Sequence, residues 1–126
     1  MVIELIESGT KSENLEKNLF NIDAEIALIG CLLWDNKHYE KVSEFLKEEH
    51  FVDENNKKIY KTIASLLDKN ILVSPITLSN YINDEINNNN LNYFNQIKDS
   101  TPSTQNTYDY AKLIYDLHLK RNLISV

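Results

Sequence analysis

Three histidines, one cysteine and a closely spaced Asp–Glu pair are the side chains from which this sequence could build chemistry. His38, His50 and His118 have no zinc-site spacing to one another or to Cys31, so no metal ligand set is read from them. They read instead as surface or capping residues. Cys31 lies inside an apolar run, which suits a small buried hydrophobe better than a reactive thiol. Asp23 and Glu25 could pose as a general acid–base pair, but residues i and i+2 of a helix point to different faces. Stabilisation of a helix N-terminus by negative charge accounts for them more simply. Gly9-Thr10-Lys11-Ser12 has the ending of a phosphate-binding loop, without its upstream glycine or a preceding buried strand. No catalytic, cofactor-binding or metal residue is assigned.

The elements that would position any site are helices. Only two glycines and two prolines in 126 residues leave little material for tight hairpins, and 42% of the residues are hydrophobic. The chain is one domain's worth, large enough for a modest core. Its most apolar stretch, Asn21 to Asn36, predicts a central helix. Asn21 is its N-cap and Asp23 and Glu25 lie in its first turn. Ile22, Ile26, Ile29 and Leu33 share a stripe, and Ala24, Leu28, Cys31 and Leu32 cover most of the rest. A helix apolar nearly all round is one that other helices surround. Gly30 costs about 1 kcal/mol against alanine there, which close approach by a neighbouring backbone would offset.

Further helices follow in order. Tyr39, Val42, Phe45 and Leu46 mark a short amphipathic one, and Phe51-Val52 is expected to plug into the core. Asp53 caps a helix with an apolar stripe of Ile59, Tyr60, Ile63, Ala64, Leu66 and Leu67, which ends at Asn70 in a left-handed conformation. Ile71-Leu72-Val73 is a β-prone connector. Ser74-Pro75 starts the next helix, with Leu78, Tyr81, Ile82 and Ile86 inward. Asn87 to Asn90 reads as a polar loop, and Leu91, Phe94 and Ile97 as another short helix. From about Thr104 a long helix carries Tyr108, Ala111, Tyr115 and Leu119 on one face, widened by Tyr110, Leu113, Ile114 and Leu117. Tyr108, Tyr110 and Tyr115 cannot all face one core, so one or two are expected at an interface. That helix is still apolar and uncapped at Val126, which reads as a cut inside a longer protein.

The expected architecture is all-α: a compact bundle of about six helices spanning 19–126, behind a tail of residues 1–18, with the last helix opening a truncated helical hairpin. No apolar run approaches the roughly 18 to 20 residues of a membrane span. The N-terminus lacks the basic region of a signal peptide, so a cytoplasmic protein is expected. The net charge is −6 and the basic residues are scattered among acids, which disfavours nucleic-acid binding by this chain and favours protein partners.

Several motifs, in this order, resemble the N-terminal domain of DnaB-type replicative DNA helicases. They are Asn21-Ile22-Asp23-Ala24-Glu25 with Ile29-Gly30 and Leu32-Leu33; Asp35-Asn36; Phe51 with Ile59-Tyr60; Ile76-Thr77-Leu78; Tyr93-Phe94; Thr101-Pro102-Ser103 with Asn106, Tyr110-Ala111 and Ile114; and Lys120-Arg121 with Leu123-Ile124. The resemblance covers about residues 19–126. It departs from the family pattern at Asn56 (histidine in the pattern), at Asn70, Asn89 and Asn90 (glycine) and at Leu72 (proline). Asparagine tolerates the left-handed backbone, so the three glycine positions need not alter the fold.

The resemblance implies a non-catalytic assembly and docking module. The family's domain forms dimers within a hexameric ring and helps to recruit primase; a helicase loader is a further possible partner. ATP and magnesium would serve the parent helicase, whose ATPase domain lies outside this chain, and no cofactor is expected here. The self-association surface is expected on the last helix at Tyr110, Ile114, Leu117 and Arg121. The alternative is a free-standing helical adaptor domain.

Overall fold

The computed structural model describes residues 19–83, 86 and 89–125, with the side chains of 124 and 125 set aside. The expected tail, 1–18, and its Gly9-Thr10-Lys11-Ser12 segment therefore lie outside the described residues. Among the described residues six α-helices follow one another: α1 (Ile22–Trp34), α2 (Tyr39–Val42), α3 (Glu54–Asp68), α4 (Pro75–Tyr81), α5 (Asn90–Asp99) and α6 (Thr107–Ser125). Among the described residues there is no strand. The all-α expectation holds.

α1 is the centre of the bundle. Asn21 caps it by accepting the Ala24 N–H at 2.9 Å. Leu28, Ile29, Cys31 and Leu32 are wholly buried, between α6 and α5 on two sides and α3 on a third. Gly30 is the contact point with the C-terminal end of α5. A Cβ there would lie 3.1 Å from the Ile97 carbonyl oxygen and would run into Thr101 Oγ1. The close approach is thus made by a backbone carbonyl, as expected, and also by a threonine side chain.

The end of α1 is tied to the connector before α4. Asn36 Nδ2 donates to the carbonyls of Leu32 (2.7 Å) and Val73 (3.0 Å), while its Oδ1 accepts the Val73 N–H at 2.8 Å. The β-prone segment Ile71-Leu72-Val73 thereby finds a side-chain partner where a strand would need another strand. α3 starts on Asp53, which accepts the Asn56 N–H at 2.9 Å. It ends with Asn70 at φ 63°, the Asn70 N–H bonded to Leu67 O and the Ile71 N–H to Leu66 O, both at 2.9 Å. That pair of bonds is a Schellman ending.

Other boundaries and faces differ from expectation. α2 stops at Val42 and the chain turns through Ser43–Phe45, yet Leu46 is still buried because its N–H closes on Val42 O at 3.0 Å. α5 begins at Asn90. Asn89, read as part of a polar loop, sits at φ −148° and caps α5 by accepting the Asn92 N–H at 3.0 Å. Capping satisfies an N–H that the helix itself cannot, which the extended backbone at this position allows. Asn87 and Asn88 lie outside the described residues. Tyr81, assigned to the inner face, is exposed, while Leu78 and the following Ile82 are buried; on α5, which packs against α4, Leu91 is exposed and Phe94 and Ile97 are buried. α6 begins at Thr107, with Thr104 supplying only a turn carbonyl.

Candidate interaction surface

α6 packs on α1, and its buried residues are Thr107, Ala111, Ile114 and Leu117, at spacings of four, three and three. Small residues at the first two positions let the helix axes come close, and the aliphatic pair fills the space further along. Of the four residues expected to form a self-association surface, Ile114 and Leu117 therefore lie in the domain's own core. Tyr110 is half-buried at the edge of that contact.

Arg121 also works within the domain. Its guanidinium donates to the Leu19 carbonyl at 2.6 Å and to the His50 carbonyl at 2.9 Å. The segment it holds, His50 to Asp53, is gripped from the other side by Glu25 of α1. Glu25 is 2% exposed; its Oε2 accepts the Val52 N–H at 2.8 Å. Its Oε1 accepts the Asp53 N–H at 3.3 Å and the Asn56 side-chain amide at 3.1 Å. A buried carboxylate needs such donors to offset its lost hydration. Glu25 thus does more than complement a helix dipole. The missed signal was its place in an otherwise apolar run.

Beside Arg121 lies an aromatic cluster. The His50 ring meets the Tyr115 ring edge-on at 5.0 Å and the His118 ring at 4.5 Å; Phe45 packs edge-on against Tyr108 and Tyr115, both at 5.6 Å. His50 Nδ1 accepts the Lys47 N–H at 2.9 Å, so the proton of a neutral ring is on Nε2. Burial holds the pKa of both histidines below the ordinary 6.5. For His50 the nearby His118 reinforces the shift, and for His118 the charge of Arg121 does. The carboxylate of Glu49 opposes it for both.

The outer flank of α6 carries apolar side chains that stay exposed among the described residues, Tyr108 with one edge against Phe45. Tyr108, Leu113, Leu119 and Leu123 are exposed, Leu123 to 78%. Tyr108 and Leu119, read from sequence on one face with Ala111 and Tyr115, sit on this side, whereas Ala111 is buried. The Thr107 and Ala111 spacing is the signal that would have separated seat from flank. At the other end of α1, Trp34 is half exposed; its Nε1 donates to the Lys98 carbonyl at 2.6 Å, and Lys98 Nζ lies 4.8 Å above the ring.

Among the described residues no three or more His, Cys, Asp or Glu side chains converge as metal ligands. Cys31 is buried, its thiol 3.7 Å from the Ser103 carbonyl, and burial raises its pKa. No helix among the described residues is long and apolar enough to cross a membrane.

The chain is similar to replicative DNA helicases. It is 38% identical over 109 residues to replicative DNA helicase DnaB of Rickettsia conorii, a match covering 84% of this chain and 22% of that protein. The corresponding protein of Rickettsia typhi is 35% identical over the same shares, and that of Pasteurella multocida 24% identical, with 23% of its length covered. The chain thus spans about a fifth of the length of the curated relatives it matches. The crystal structure of the N-terminal domain of DnaB helicase from Mycobacterium tuberculosis superimposes with a TM-score of 0.71 over 84% of this chain and 79% of that one. At 18% identity, that likeness shows a shared fold. A family model described as the DnaB-like helicase N-terminal domain matches residues 17–116, nearly the whole of the helical bundle. This chain belongs to the DnaB-like helicase N-terminal domain family.

Proposed function

We propose that this chain is the non-catalytic assembly and docking domain of a replicative DNA helicase, with 19–126 as the domain. The observation that carries the reading is the family match across nearly the whole of the helical bundle. In this reading the parent protein hydrolyses ATP with magnesium to unwind duplex DNA in the cytoplasm. This domain contributes to dimers within its hexameric ring and to recruiting primase, and a helicase loader is a further partner.

Self-association would run along α6. Ile114 and Leu117 fix the seat of the helix, Tyr110 and Arg121 border it, and the exposed flank of Tyr108, Leu119 and Leu123 supplies the contact. An uncovered aliphatic and aromatic flank on one helix is the kind of surface that a helix–helix interface buries.

Sedimentation analysis tests this on the chain itself and on a version extended to the full length of its relatives. The extended protein should form dimers or larger rings, and Leu119→Asp with Leu123→Asp should shift both proteins toward monomer. A full-length protein that stays monomeric, or assembles equally well with the two aspartates, overturns it. The isolated chain should neither hydrolyse ATP nor bind single-stranded DNA at physiological salt; measurable turnover by it would refute the non-catalytic role.

A further inference from the structure

α3 turns a stripe of cations outward. Lys58, Lys61, Thr62, Ser65 and Lys69 fall at i, i+3, i+4, i+7 and i+11, which places them along one side of the helix. Facing them are Ile71 of the connector and Tyr81 at the end of α4, with the buried Leu66 beneath. Together they enclose a groove of about 500 Å³.

Its charge is unlike that of the chain. The groove is lined by three lysines, of which Lys58 has a partner of its own, and, among the described residues, by no carboxylate, in a sequence of net charge −6. A neighbouring groove, lined by Lys37, Glu40 and Asp68, mixes the two signs. Lys61 and Lys69 make no ion pair with any described residue. Tyr81 stands at the rim with 55% of its surface exposed, although its helix neighbour Leu78 is fully buried. Cations over an apolar floor, with an amphipathic ring at the edge, match a ligand that is itself anionic and aliphatic.

We propose that this groove docks a short acidic peptide segment of another protein. Its carboxylates pair with Lys61 and Lys69, and one aliphatic side chain lies over Leu66 and Ile71 against Tyr81. A nucleic acid suits the groove less well. Tracking a phosphate backbone takes a longer row of cations, and an apolar floor offers a phosphate nothing. The inference does not depend on the assembly role of α6.

The test is an NMR titration of the isotope-labelled chain with the synthetic peptide Asp-Glu-Ile-Asp-Leu-Glu-Asp, in parallel with an oligothymidine of similar charge. The peptide should shift the backbone amides of Lys61, Thr62, Ser65, Lys69 and Tyr81. Its binding should weaken as salt is raised, and by about tenfold in the double variant Lys61→Glu, Lys69→Glu, whose melting temperature should stay near the parent's. The proposal is overturned if the peptide shifts none of these amides at about millimolar concentration. It is equally overturned if the oligothymidine shifts them with equal affinity, or if the double variant binds the peptide unchanged. A further variant, Asp84→Asn with Glu85→Gln, should leave the Lys61 and Lys69 amides in place without peptide. If it moves them, the chain's own acids occupy the groove and the docking proposal fails.

Discussion

Thr101 fills the space that a side chain at Gly30 would need, so the end of α5 touches the backbone of α1 directly. The Thr101 hydroxyl is fixed there by donating to the Ile97 carbonyl at 2.9 Å, and threonine has few rotamers with which to retreat. Gly30→Ala would gain about 1 kcal/mol of helix propensity but force an overpacked contact that costs about 1–3 kcal/mol or more. The expected result is a net loss of roughly 1–2 kcal/mol in urea unfolding, recovered in part by adding Thr101→Ala. A stabilised single variant would mean the two elements are not in contact.

Glu25 accepts from three donors in a site with 2% exposure, and its removal strands them. Glu25→Ala should cost roughly 2–4 kcal/mol, because buried donors to a charged acceptor lose both bond and solvent. Glu25→Gln should cost less, since its amide oxygen can still accept. Hydrogen exchange at the Val52 and Asp53 amides reads this locally; unchanged protection in the alanine variant would remove Glu25 from the role given to it.

Asn70 holds a left-handed backbone that most side chains resist. Asn70→Gly should be neutral or slightly stabilising, while Asn70→Val should lose about 1–2 kcal/mol in thermal or urea unfolding. Equal stability of the valine variant would show that α3 does not end as described.

The His50–His118 pair sets a pH dependence. Both pKa values are lowered in the fold, so the unfolded chain binds protons that the folded one does not. Their contribution to stability is complete above the ordinary value of 6.5 and is lost as pH falls from there toward the lowered folded values. The urea midpoint should therefore drop between about pH 7.5 and about pH 5.5, and less steeply in His118→Gln. NMR titration of the ring protons gives the decisive reading: values at or above 6.5 for both rings would reverse the sign.

Much of the fold is legible in local signals, and the reasons differ by residue. Asn21, Asp53 and Ser74 each accept the N–H three residues on, because capping depends on a short polar side chain next to a helix start and on nothing distant. Asn70 is equally local. What escapes is whatever depends on the far side of a contact. The expected self-association residues Ile114 and Leu117 and the exposed Leu119 look alike in sequence; only the position of α1 decides which are covered. Glu25 reads as a helix-terminus charge and Arg121 as an interface residue, because their backbone and side-chain partners in 50–56 and at Leu19 are distant in sequence. The aromatic cluster around His50 joins residues 45, 50, 108, 115 and 118, a pairing that no periodicity announces.

The packing of α1 on α6 has a consequence for synthesis. The most apolar helix of the chain is made early, yet its broadest partner begins only at Thr107. While the ribosome translates the intervening residues, the α1 surface that later receives Ala111, Ile114 and Leu117 stays open to water or to a chaperone. Completion of the fold is therefore tied to emergence of the last helix from the exit tunnel, and a stall before that point would leave a sticky, unfinished core.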